Sequence, residues 1–206
     1  STDEIKRHKI EILAGLTRLR QICNTPALFL EDYKGDSGKM DSLFELLDTI
    51  RKKGSRPLIF SQFTSMLDLI EQELEKKEMS HFKITGQTPS DKRQEMVNLF
   101  NQGEKDCFLI SLKAGGTGMN LTGADTVILC DLWWNPAVEM QAIGRSHRLG
   151  QTKQVDVYRL ITLGTIEEKI QELQESKKEL FNTVLEGQES RSNLSVEDIK
   201  EILDVE

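Results

Sequence analysis

Two arginines, Arg145 and Arg148, stand three residues apart in the run Gln141-Ala142-Ile143-Gly144-Arg145-Ser146-His147-Arg148-Leu149-Gly150-Gln151. On a helix, positions i and i+3 share a face, so both guanidiniums can grip one highly charged group. A triphosphate losing its terminal phosphoryl group is such a target, because charge spreads over several oxygens during transfer. The plain alternative is a surface helix with two solvated arginines. The company of Trp133, Trp134, Gln141 and His147 in one short segment weighs against it. Nothing in these residues holds a nucleotide. The chain has no Gly-x-x-x-x-Gly-Lys-Ser/Thr and no Asp-Glu-x-His-type run after a strand, and Ser37-Gly38-Lys39 is too short for a phosphate loop. The arginine pair therefore reads as half of a site.

A second loop could touch a ligand: Lys113-Ala114-Gly115-Gly116-Thr117-Gly118-Met119-Asn120-Leu121. Its three glycines in four residues allow positive φ and close backbone approach to an oxyanion or a ribose. A tight turn would need the same glycines, and flanking Lys113 and Asn120 tilt the reading toward ligand contact. The three cysteines, Cys23, Cys107 and Cys130, are scattered among apolar residues, which argues for reduced thiols and an intracellular compartment. With no Cys-x-x-Cys and three isolated histidines, no metal site is expected. Lys and Arg number 27 against 34 Asp and Glu, a net charge of −7. That sign excludes a protein that coats nucleic acid by bulk charge, and leaves room for local contacts through backbone amides or helix N-termini.

These loops must be positioned by elements that the hydrophobic pattern predicts. Residues 4–24 read as a helix with Ile12, Leu16, Leu19 and Cys23 on one stripe, stopped by Asn24-Thr25-Pro26. A helix carrying Met40, Leu43, Phe44, Leu47 and Ile50 ends at Lys53-Gly54. Apolar strands are expected at 57–60, 81–84, 107–110, 126–130 and 155–161, with helices at 65–78, from Thr88, and from Asn135-Pro136 to about 146. Thr88 is placed as an N-cap with Pro89 at the first helical position. Strands alternating with helices imply βαβ units, hence an α/β fold with a parallel sheet covered on both faces. Thr165-Ile166-Glu167-Glu168 starts a long helix to about 186. Its near-heptad seam of Ile166, Ile170, Leu173, Leu180 and Val184, interrupted by Lys177, is expected to pack across the domain or on a partner. Ser195-Val196-Glu197-Asp198 caps a short final helix. Composition fits a soluble globular protein, and no apolar run nears the roughly 18–20 residues of a membrane span. Ser1 to Lys6 shows no signal-peptide pattern and begins as if within a helix, which suggests a cut inside a larger protein.

Several runs together carry a resemblance. Gly115 to Leu121, Asp131-Leu132-Trp133-Trp134-Asn135-Pro136 and Gln141 to Gln151 resemble motifs V and VI of the Swi/Snf-type DNA translocases of helicase superfamily two. Leu19-Arg20-Gln21-Ile22-Cys23, Ser37-Gly38-Lys39, Phe60-Ser61-Gln62-Phe63 and Thr85-Gly86-Gln87-Thr88 with Arg93 are similar to further landmarks of that family's second lobe, in order. The resemblance spans roughly residues 16–185. It implies a RecA-like second lobe of an ATP-dependent motor on double-stranded DNA, with residues 1–38 leading in, 39–164 forming the lobe and 165–206 a helical extension. ATP and its Mg would be held mainly by an N-terminal RecA-like lobe of the same protein. This lobe would supply Arg148 as the principal finger, Arg145 beside it, and Gln141 to position the finger or the attacking water. Gly116 and Gly118 would lie against the ribose and the lobe interface, with Asn120 pinning that loop. Ser61, Gln62, Gly86, Thr88, Arg93, Ser111 and Lys113 would lie near a DNA strand. Trp133 reads either as core or as a contact residue, Trp134 as an exposed contact to DNA, and His147 as a structural hydrogen-bonder.

Asn24-Thr25-Pro26 stands where the family more often has a histidine before the proline. Gly144 matches the broader superfamily pattern and leans bacterial, with a nucleoid-associated cytoplasmic location, or a nuclear one if eukaryotic. The chain alone is expected to be inactive. A non-catalytic DNA- or protein-binding module that kept the fold, and a strand-separating helicase lobe, are the competing readings. A DNA-bound protein is the expected target of remodelling, and its identity is not written in these residues.

Overall fold

Five short segments become strands: Pro57–Ser61 (β1), His81–Ile84 (β2), Cys107–Ser111 (β3), Thr126–Leu129 (β4) and Asp156–Arg159 (β5). The computed structural model describes residues 2–115, 119–144, 154–183 and 194–204. In it the strands form one parallel sheet in the order β2-β3-β1-β4-β5. The three middle strands are buried along their length, as their unbroken apolar runs require. Side chains alternate between two cores. Leu58, Phe60, Phe108, Ile110, Val127 and Leu129 face one, and Ile59, Leu109, Ile128 and Cys130 face the other. Helix Ser90–Asn101 (α5) packs on the first face through Val97 and Phe100. Helices Gly38–Lys52 (α3) and Thr64–Lys76 (α4) pack on the second. The result is the three-layer RecA-like α/β architecture.

Three of these helices end alike and feed successive strands. After α3, Gly54 N–H donates to Arg51 O at 2.9 Å and Ser55 N–H to Ile50 O at 3.1 Å. Glu78 and Met79 repeat the pattern on Glu75 and Leu74 after α4, and Gly103 and Glu104 on Phe100 and Leu99 after α5. This double closure needs a left-handed residue at its turn. Gly54 at φ 70° and Gly103 at φ 103° adopt it without a Cβ clash, and Glu78 adopts it at φ 54°. The Lys53-Gly54 stop is thus where the sequence places it. The Thr88 cap is not. α5 starts at Ser90, Pro89 is its cap residue with no side-chain cap bond, and the Thr88 hydroxyl instead accepts the Thr85 N–H at 3.0 Å.

The predicted first helix is two, Thr2–Arg7 (α1) and Lys9–Asn24 (α2), with the break at His8. Its inward stripe also differs. Leu19 is 48% exposed, while Leu16, Arg20 and Asn24 are buried. Arg20 takes the inward place because polar partners wait there, and Leu19, one position round the helix, turns outward. Helix Ile166–Thr183 (α8) buries Ile170 and Leu173 and packs, with α1 and α2, on the final helix Val196–Leu203 (α9). Of its seam, Val184 lies outside the described residues. Lys177, the interruption, donates to Asp198 at 2.8 Å.

The capping box of α9 is formed as expected, with Ser195 Oγ accepting the Asp198 N–H and Asp198 accepting the Ser195 N–H. Burial alone would raise the Asp198 pKa, but Lys177 and Ser195 outweigh it and hold the carboxyl below its ordinary value. A depressed carboxyl contributes stability that is present above about pH 3.9 and lost as pH falls through the folded value. Acid is therefore expected to loosen α9. Hydrogen exchange should show its amides losing protection in that window before the amides of β1 and β3. Asp198→Asn should remove this pH dependence.

Candidate functional site

Loops leaving the carboxyl ends of parallel strands form the natural ligand edge of such a sheet. Strand order β2-β3-β1 brings together three loops that are far apart in sequence. Ser61 ends β1 and Gln62 follows it, the loop after β2 carries Gly86 and Thr88 with Arg93 on the first turn of α5, and Ser111 ends β3 with Lys113 two residues on. Their side chains behave differently. Lys113 and Gly86 are exposed. Arg93 closes its own loop, donating to Thr88 O at 2.7 Å, Gly86 O at 3.0 Å and Thr85 O at 3.1 Å. Ser111 is buried, and its hydroxyl accepts the Ala114 N–H at the start of a single turn, Leu112–Gly115 (α6). Ser61 is fully buried and donates to Asp131 at 2.5 Å. Ser61 and Ser111 thus shape the loops, half-buried Gln62 donates its side-chain amide to Leu132 O at 3.5 Å, and the exposed groups are Lys113 and Gly86.

Asp131, directly after β4, organises this edge. One oxygen accepts Ser61 Oγ and Asn24 Nδ2 (3.0 Å), and the other accepts the Gln62 N–H at 3.0 Å. Asn24, from α2, also accepts Lys39 Nζ at 3.0 Å. Lys39 reaches Cys130 O at 2.8 Å and both Glu167 oxygens at 2.6 Å, and the Lys39 and Glu167 side chains are each 2% exposed. Arg20 donates to Leu132 O at 2.6 Å and lies 4.3 Å from the Trp134 ring centroid, with Phe63 and Trp133 also within cation–π range. Burial lowers the Arg20 pKa to about 10, and Asp131 and Glu167 pull against it, so the guanidinium stays charged at neutral pH. One chain of buried polar contacts ties the N-terminal helix, α3, β1, the segment after β4 and α8.

That chain corrects the reading of Trp134. It is half-buried, stacked under Arg20 and packed on the core between α1, α2, α8 and α9, so it is not the exposed contact its sequence position suggests. Trp133 packs against the first core, which decides between its two readings.

The segment after β4 then starts helix Pro136–Ile143 (α7). Asn135 caps it by accepting the Ala137 N–H at 2.9 Å, with proline at the first position. Gln141 is exposed on its last turn. Arg145, Arg148, Ser146 and His147 lie outside the described residues, as do Gly116 and Gly118. The loop before β4 is pinned by Asn101. Asn101 Nδ2 donates to Asn120 O at 2.8 Å, and Asn101 Oδ1 accepts the Gly123 N–H at 2.9 Å. A Cβ on Gly123 would come within 2.8 Å of the Asn101 Cα, so this close approach requires glycine.

Sequence reasoning missed Asn101, Asp131, Glu139, Glu167 and Gln174, and treated Arg20, Asn24 and Lys39 as landmarks without a contact. It also missed Glu71, Glu75 and His81, whose ligand-type atoms lie within 4.8 Å of one another. These sit beside Lys83, which pairs with Glu71 and, at 2.9 Å, with Asp68. The i, i+4 spacing of Glu71 and Glu75 on α4 was the available signal.

Comparison with known proteins follows the same lines. A family described as helicase conserved C-terminal domain matches residues 38–150. The chain is 43% identical over 194 residues to the mouse (Mus musculus) SWI/SNF-related matrix-associated actin-dependent regulator of chromatin subfamily A member 1, covering 88% of this chain and 18% of that protein. It is 46% identical over 153 residues to the human (Homo sapiens) chromatin-remodeling ATPase INO80, covering 74% of this chain and 10% of that protein. Among solved structures, the C-terminal part of the Fun30 ATPase domain superposes with a TM-score of 0.70 at 35% identity, covering 88% of this chain and 58% of that one. The chain spans less than a fifth of the length of these two curated relatives. Among the described residues, no helix is long and apolar enough to cross a membrane.

Proposed function

The chain belongs to the helicase conserved C-terminal domain family, as a Swi/Snf-type second lobe, and on that premise we propose that it completes the ATP site of a double-stranded DNA translocase. Arg148 is the principal finger, Arg145 braces the phosphates, and Gln141 orients the finger or the attacking water. Gly116 and Gly118 face the ribose and the lobe interface, with Asn120 pinning that loop. The loops after β2, β3 and β1 hold a DNA strand by its backbone, which permits movement without regard to sequence.

One observation carries this reading: the strand order sets Gln62, Gly86 and Lys113 side by side on the edge from which α7 also departs with Gln141. A DNA track and a nucleotide-facing helix then share one rigid frame. The carboxylates nearest α7 support a division of labour. Asp131, Glu139 and Glu167 are each at most 2% exposed and committed to internal partners, so they are not free to hold Mg. ATP and Mg fit a site whose phosphate loop and acidic ligands come from another lobe, and whose arginines come from this one. ATP bridging the lobes favours closure and hydrolysis releases it, which shifts the DNA-gripping loops.

The test uses a protein carrying both lobes beside the 206-residue chain alone. The two-lobe protein should hydrolyse ATP in response to duplex DNA and displace a third strand from a triplex, without separating a simple duplex. The isolated chain should show negligible turnover. Duplex separation would favour a helicase lobe. Turnover by the isolated chain that Arg148→Ala abolishes would overturn the division of the site.

A further inference from the structure

Glu139 is the fourth residue of α7 and is 2% exposed, although a glutamate on a short helix leaving a sheet edge is ordinarily solvated. Its Oε1 accepts the Trp133 N–H at 3.2 Å and Gln174 Nε2 at 2.7 Å, and its Oε2 accepts Arg159 Nε at 3.1 Å. Gln174 also donates to the Trp133 carbonyl. Four segments meet on this carboxylate: the tryptophan loop, α7, the end of β5 and the middle of α8. Other contacts of α7 are its Asn135 cap and the apolar packing of Val138, Ala142 and Ile143 on the first core. Beyond Glu139 its buried residues are Pro136 and Ala142, and small apolar contacts are non-directional. Charge-assisted hydrogen bonds do fix direction.

We propose that Glu139 is a positioning residue for ATP hydrolysis, setting the angle of α7 and so of Gln141, the residue read above as orienting the finger or the attacking water. Gln174 makes the setting dependent on α8, so the C-terminal helix is read out at the nucleotide site. This rests on the finger reading of Arg148. The physical lever is alignment: displacement of a reacting or charge-stabilising group by about 1 Å can cost about 100-fold in rate without any loss of ground-state binding.

The experiment is a double-mutant cycle in the two-lobe protein. Glu139→Gln keeps the shape, removes the charge and puts an amide against Arg159. It should lower the DNA-stimulated kcat about 10- to 100-fold, with KM for ATP and affinity for duplex DNA essentially unchanged. Gln174→Met, which deletes both amide donors at similar volume, should give the same split to a smaller degree and serves if Glu139→Gln does not fold. Combined with Arg148→Ala, each should add little to the loss caused by Arg148→Ala alone, because both act through the same group. An unchanged kcat in both variants beside an inactive Arg148→Ala overturns this inference and leaves the finger reading intact. Additive losses, or losses shared equally by kcat, DNA affinity and melting temperature, reduce Glu139 to a purely structural residue. An Arg148→Ala protein with normal turnover overturns the finger reading and this inference together.

Discussion

Arg148→Ala in a protein carrying both lobes is expected to lower DNA-stimulated ATP turnover by about 10³- to 10⁵-fold, the range for loss of an arginine finger. The physical reason is differential binding. Charge that develops on the transferring phosphoryl group is met by a fixed guanidinium whose contribution is largest at the transition state. ATP affinity, measured by nucleotide binding without turnover, should fall far less than kcat. Arg148→Lys should not rescue, since an ammonium lacks the planar fork that spans two oxygens. Arg145→Ala should weaken ATP binding together with turnover if it braces phosphates already present in the ground state. Normal kcat for Arg148→Ala would remove the arginine pair from the nucleotide site and leave the competing view, a binding module that kept the fold.

The second large effect is on stability. Lys39→Met should destabilise the lobe by about 3–5 kcal/mol, because it leaves Glu167 as an uncompensated charge in a buried site. Asn24 Oδ1 and Cys130 O lose a donor as well. For a chain of this size the melting temperature should drop by roughly 6–20 °C. Lys39→Met combined with Glu167→Leu should recover much of the loss, since an apolar pair of similar volume removes the desolvated charges altogether. Calorimetry on the three proteins decides it. A single variant within about 1 kcal/mol of the parent, in the range of a surface pair, would mean that water reaches the site freely. The pair also carries connectivity. It joins α3, at the head of the lobe, to α8, and through Asn24 to α2, so its loss should loosen both terminal helices along with the sheet.

Much of the frame was legible from periodicity. Unbroken apolar runs at Pro57–Ser61, Cys107–Ser111 and Thr126–Leu129 mark strands covered on both faces, and Lys53-Gly54 and Asn135-Pro136 mark helix ends by local backbone chemistry. The misreadings have a common cause. Thr88 looks like a cap, Leu19 like core and Trp134 like an exposed contact when each is judged by its near neighbours. The residues that decide otherwise are Thr85, Arg20 and the cluster of α1, α2, α8 and α9. For Trp134, Arg20 from the N-terminal helix α2 supplies the cation over the ring, and the cluster of α1, α2, α8 and α9 supplies the apolar packing.

By itself, then, the sequence determined what short-range patterns carry: strand and helix identity, the parallel α/β class, and ordered motifs similar to those of a motor's second lobe. Tertiary structure alone decided which charges meet. Asp131 with Ser61 and Asn24, Lys39 with Glu167, and Glu139 with Arg159 and Gln174 join residues 20–128 positions apart in the chain. A buried charge has no periodicity and no local signature. Its partner is whatever the folded chain places within about 3 Å, and only the packed sheet and helices fix that distance.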